Sequence, residues 1–180
     1  MIPAGYMLKE IRSRPESLKA PAVVDIYSVS GCVAKYFADY IGFWEHNGYW
    51  LFDSPEIVCA LAERTHAKLD ELHLFYYEVY DRQYDEKGKT WRPFGPEPSL
   101  KTEVKPPEII QPAGYDIVSF FARTSPECSP LSCNSLAESL KVNAHCLLNS
   151  FEEAKQALEH GLFDNTEPGP FRVFAVYRIT

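Results

Sequence analysis

Cys128, Cys133, His145 and Cys146 are the side chains of this chain best suited to chemistry. Thiolates and imidazoles are zinc ligands, and four of them close a tetrahedral site. The spacing fits such a site poorly. Cys128 and Cys133 stand at the edge of the usual ligand separation, and His145 and Cys146 are adjacent. Neighbouring residues of a strand point to opposite faces. The expectation is that Cys146 packs as a small apolar side chain, that His145 is exposed, and that neither metal nor cofactor is bound.

Cys32, His46 and Asp53 offer a nucleophile, a base and an orienting carboxylate. Cys32 and Cys133 each precede a predicted helix, where the helix dipole lowers a thiol pKa. Neither stands beside an identifiable oxyanion loop. The sequence holds no phosphate-binding glycine loop, no His-Glu-x-x-His pair and no Gly-x-Ser-x-Gly elbow. Cys32, Cys133 and His46 are the candidate catalytic residues, but no catalytic role is assigned: the two thiols are read as structural, and a binding protein is expected rather than an enzyme. His66 and His73 are isolated and read as structural or exposed.

Binding is expected from two other places. Trp44 and the run His46-Asn47-Gly48-Tyr49-Trp50 set large aromatics beside a polar turn, a combination that anchors interfaces. Strand alternation turns Trp50 inward and Tyr49 outward. Asp85 and Glu86 form an acidic turn tip that could meet a basic partner.

Composition narrows the class. The 180 residues are 46% hydrophobic and 14% aromatic, which describes a globular chain with a sizeable core. A formal charge of −7 argues against a phosphate-tracking nucleic-acid binder and suits a basic protein partner. No stretch of roughly 18 apolar residues exists to cross a membrane. The N-terminus lacks a basic leader followed by an apolar run, so the cytoplasm is the expected compartment. Five cysteines, an odd and scattered set, are expected to be reduced.

The elements that must position these residues follow a repeating order. Val23–Tyr27 reads as a strand, and Val33, Phe37, Tyr40, Ile41 and Trp44 form one helical stripe. Tyr49–Phe52 reads as a strand. Asp53-Ser54-Pro55-Glu56 is a capped helix start, with proline at the first helical position and a carboxylate in the first turn. Leu72–Tyr84 is a long strand that turns at Asp85–Gly88 into a hairpin. Six of the fourteen prolines lie from Pro93 to Pro112, an extended connector. Then come a strand at Tyr115–Phe121, a Pro/Ser/Cys loop, a short helix around Leu136, Ala137 and Leu140, a strand at Cys146–Leu148, a capping box at Ser150 and Glu153, and a closing strand at Phe171–Ile179.

Three pairs of segments echo each other in order: Asp25–Ser28 with Asp116–Ser119, Trp50–Glu56 with Cys146–Glu152, and Phe75–Tyr80 with Arg172–Tyr177. Pro3-Ala4-Gly5-Tyr6 and Pro112-Ala113-Gly114-Tyr115 are a fourth echo. It leaves either an insertion before Asp25 or an additional strand at Tyr6–Ile11.

These features predict an α+β fold of two tandem β-α-β-α-β-like repeats related by a pseudo-twofold axis, with a β-hairpin extending from the first. The first repeat spans 1–94, the connector 95–112 and the second repeat 113–180, together one compact unit. Three function classes remain. A cytoplasmic protein-binding module leads, one instance being an immunity or antitoxin-type protein that neutralises a basic toxin. An enzyme or small-ligand binder using the cleft between the repeats is the alternative. A zinc-stabilised regulatory protein is the third.

Overall fold

The computed structural model describes residues 1–34, 46–108, 110–120 and 128–179. Trp44 and most of the helical stripe after Val33 lie outside the described residues. The fold is α+β and built on an antiparallel sheet. Its strands are β1 (Ile2–Lys9), β4 (His73–Asp85), β5 (Thr90–Pro93), β6 (Gln111–Ser119) and β7 (Phe171–Arg178). The order is β1-β4-β7-β6, with β5 pairing along the far end of β4. A separate pair, β2 (Arg12–Ser13) and β3 (Asp25–Ile26), stands apart from the main sheet. Three α-helices complete it among the described residues: α1 (Pro55–Arg64), α2 (Pro130–Cys133) and α3 (Phe151–Glu159).

The central strands carry the core. Phe75, Tyr76, Tyr77 and Val79 of β4 are buried on both faces, as are Val173 to Tyr177 of β7. Strands covered on both sides read as continuous apolar runs, as these do. One cluster gathers Tyr6, Phe75 and Tyr76 with Val58, Leu61 and Ala62 of α1. The other gathers Ile117, Phe171 and Val173 with Ala154, Ala157 and Leu158 of α3.

Both long helices start as the caps predict. Ser54 accepts from the Ile57 amide, and Ser150 accepts from the Glu153 amide at 3.2 Å. The Glu153 side chain reaches back one residue beyond the cap, to the Asn149 amide at 2.9 Å. Gly161, at φ 73, follows the end of α3.

The segments expected as strands at Tyr49–Phe52 and Cys146–Leu148 are turns instead. In the first, Asn47 Oδ1 accepts from the Tyr49 and Leu51 amides, and Asn47 Nδ2 donates to the Ala4 carbonyl at 2.8 Å. In the second, Asn143 Oδ1 accepts from the His145 and Leu147 amides, and Asn143 Nδ2 donates to the Ala113 carbonyl at 2.7 Å. Trp50 and Cys146 sit at φ 63 and 59. Single bridges join Phe52 to Tyr6 and Leu148 to Tyr115. Each loop presses on a glycine of an edge strand. A Cβ at Gly5 would stand 2.6 Å from the Phe52 carbonyl, and one at Gly114 2.7 Å from that of Leu148.

The first echo falls on two different kinds of element. Asp25 lies in the small β2–β3 pair, whereas Asp116 lies inside β6 of the main sheet. The N-terminal strand that the fourth echo allowed is β1, and its Gly5 bulge against β4 has a counterpart at Gly114 against β7. The Pro-rich segment runs along the first loop: the Glu103 amide donates to Asp53 Oδ2, and Thr102 Oγ1 accepts from the Gly48 amide at 2.9 Å. No helix among the described residues is long and apolar enough to cross a membrane.

Candidate functional site

Several expected site residues are redirected. The alternation that placed Tyr49 outside fails, because the positive φ at Trp50 breaks the strand. Tyr49 is 5% exposed and packs edge-on against Phe94, while Trp50 is half-buried and stacks on the His46 ring at 4.0 Å. Burial raises the Tyr49 hydroxyl pKa, an effect reduced by the Arg172 charge. The triad Cys32, His46 and Asp53 is not assembled. Asp53 accepts from Asn47 Nδ2 and the Glu103 amide, not from His46, whose Nδ1 lies 2.8 Å from the Asn47 carbonyl.

The four candidate zinc ligands are not brought together either. Cys128 and Cys133 form a disulfide, which corrects the expectation that all five cysteines are reduced. His145 Nδ1 lies 2.6 Å from Asp25 Oδ1, and its ring stacks on Tyr27. No hydroxyl or thiol among the described residues hydrogen-bonds to this His–Asp pair. Cys146 is buried, and desolvation, with Asp116 adding repulsion, pushes its thiol up to about 12. A thiol in that environment stays protonated and inert.

Two charges inside apolar strands were missed in the sequence. Lys9 is buried and donates to the Ser28 and Ser30 carbonyls. Asp116 is fully buried, and its Oδ2 accepts from the Val29 amide at 2.7 Å and from Ser129 Oγ at 2.6 Å. Among the described residues, its Oδ1 has no hydrogen-bond partner. Burial raises this carboxyl to about 6 against the pull of those hydrogen bonds. The network ties the Ser28–Ser30 loop to Ser129 and is structural.

The described surface opens into a cleft of about 470 Å³ where the β4–β5 hairpin meets the start of β7. Gln83, Asp85, Glu86, Lys87 and Arg92 line it from the hairpin, and Gly169, Pro170 and Arg172 from the other side. Three bonds pin the hairpin there: Gly169 N–H to Glu86 Oε2 at 3.0 Å, Lys89 Nζ to Asp164 at 2.6 Å, and Trp91 Nε1 to Glu159 at 2.9 Å. The two expected binding carboxylates are thereby engaged within the protein. Asp85 accepts from the Lys87 and Gly88 amides and pairs with Arg92 at 2.6 Å, and Glu86 holds Gly169.

Arg172 is the exception in this cleft. Its guanidinium lies between the rings of Phe94 and Phe120, 3.6 and 3.7 Å from their centroids. Nε and Nη2 both donate to Gln83 Oε1 at 3.2 Å. No carboxylate among the described residues pairs with it. Burial lowers its pKa to about 9, partly offset by Tyr49, so it remains charged at neutral pH. A guanidinium removed from water without a counter-charge costs several kcal/mol. Two aromatic faces return about 1 kcal/mol each. An anion would relieve the remaining cost, since a planar fork of donors suits two-pronged binding of one. The signal in the sequence was a lone arginine inside the apolar run Phe171–Tyr177.

Searches of protein-family models, curated proteins and solved structures found no match to this chain.

Proposed function

We propose that the protein is a binding module whose hairpin cleft takes up an anionic group, with Arg172 as its anchor. The observation that carries this reading is a half-buried arginine with an amide and two rings around it and no carboxylate partner among the described residues. Lys87 adds positive charge at the rim, where Arg92 is paired with Asp85. The volume suits a small polar ligand or one inserted side chain. Groups of the fitting class are carboxylates and phosphates. Calorimetry with inorganic phosphate tests it: saturable heat in the wild type and none in Arg172→Met supports the reading, and equal heats in both refute it.

The same reading includes a duplicated architecture. The paired asparagine loops, the paired glycine bulges and the sheet order, with β4 and β7 central and β1 and β6 outermost, support two copies of one unit joined across β4 and β7. The cleft then lies on that seam, with the hairpin from the first copy and Gly169 to Arg172 from the second. We place the protein in the cytoplasm.

A second reading keeps a basic protein partner, of the kind an immunity or antitoxin-type protein neutralises. Its support is the net charge of −7, which steers basic partners electrostatically. Association that is indifferent to salt would exclude it.

A further inference from the structure

The Cys128–Cys133 disulfide is not alone. Cys32, from the turn after β3, brings its Sγ to the same place, and the three sulfurs lie within 4.8 Å of one another. Cys32 is exposed, Cys133 half-buried and Cys128 buried. Asn134 Oδ1 stands 3.3 Å from Cys128 Sγ and 3.7 Å from Cys133 Sγ. An amide oxygen so placed accepts from S–H groups, and a disulfide has none to give. We propose that in the reduced protein Cys32, Cys128 and Cys133 form a three-thiolate site for a thiophilic metal ion of the zinc class, and that the disulfide is its oxidised, metal-free form.

The geometry needs little adjustment. Metal–sulfur bonds of about 2.3 Å place thiolates about 3.8 Å apart around a tetrahedral ion. The Cα atoms of Cys128 and Cys133 are 6.4 Å apart, so side-chain rotation after reduction separates their sulfurs without backbone movement. Asn134 Oδ1 or a water takes the fourth position. The balance is simple. A dithiol reductant passes two electrons and two protons to the disulfide and becomes a disulfide itself. Three thiols then lose their protons to solvent as the metal binds. Metal loading and disulfide formation exclude each other, so the site couples metal occupancy to the thiol–disulfide poise of the compartment. It differs from the sequence-derived set in replacing His145 and Cys146 by Cys32.

Cobalt(II) titration of the whole, reduced chain tests this through the thiolate-to-metal charge-transfer band. One equivalent should bind, with the intensity of three Co–S bonds. Cys32→Ser should weaken binding at least tenfold and reduce the band to about two thirds. Cys59→Ser and His145→Ala should leave it unchanged. Protein left oxidised should bind nothing until reductant is added. Circular dichroism confirms that each variant is folded. Absence of cobalt uptake by the reduced wild type, or a Cys32→Ser titration identical to it, overturns the proposal. So does loss of the band in His145→Ala.

Discussion

Gln83 and Arg172 face each other across the β4–β7 pairing, and one amide oxygen of Gln83 accepts from two nitrogens of Arg172. The bond fixes the guanidinium plane but supplies no charge. It orients the group while leaving its electrostatic demand unmet, the condition under which a preformed site gains most from an anion. Gln83→Leu should therefore keep the charge and lose the orientation. Phosphate affinity is expected to fall by about 1 kcal/mol, the worth of a lost hydrogen bond. Calorimetry reads this directly.

Arg172→Met should be tolerated by the fold. It replaces an uncompensated half-buried charge with an apolar side chain that fills the space between Phe94 and Phe120. Such exchanges are neutral or stabilising. The unfolding free energy from urea titration is expected to stay within about 1 kcal/mol of wild type or to rise. A loss of several kcal/mol would mean that the guanidinium serves packing.

Tyr49→Ala should destabilise the protein by about 3 kcal/mol, the usual cost of truncating a buried aromatic. Chemical denaturation reads it, and an unchanged midpoint would place the side chain outside the core. The outward placement drawn from strand alternation failed because Asn47 closes a tight loop here. A left-handed residue inside a short apolar run cannot be read from periodicity, and Trp50 and Cys146 are not residues that announce one. The helix starts at Ser54 and Ser150 were legible because capping is a local matter of residue type. The long β4 strand and its hairpin were legible for the same reason. The cleft was not, since it depends on which strands become neighbours. Arg172 stood out only as a charge in an apolar run, and no pattern paired it with Phe94 or Phe120.

Gly5→Ala and Gly114→Ala should each cost about 2–4 kcal/mol, because φ values of 137 and 143 strain any side chain and a Cβ would meet a carbonyl oxygen. Gly95→Ala, with nothing within 4 Å, is the control and should be neutral. Similar losses at the two buried glycines are what matched architecture in the two halves requires.

Asp116 should impose a pH dependence of stability. Its carboxyl titrates near 6 in the folded chain and near 3.8 when unfolded. Below about 3.8 both states hold the proton, and this group's contribution is most favourable. Between these values the folded chain keeps a proton that the unfolded chain has lost, so stability falls as pH rises. Above about 6 the loss is complete and amounts to about 3 kcal/mol. Asp116→Asn should flatten the curve between pH 4 and 6 relative to wild type. Parallel melting-temperature profiles would contradict the assignment.

The anion site at Arg172 is tested most directly by observing its own Nε–H resonance during a phosphate titration of the intact protein. The account predicts a saturable shift of that resonance, with a dissociation constant on the order of 1 mM or tighter. The exposed Arg12 and Arg64, away from the cleft, should shift little and without saturation. An Arg172 resonance that does not move, or that moves only in proportion to the exposed arginines, would contradict it.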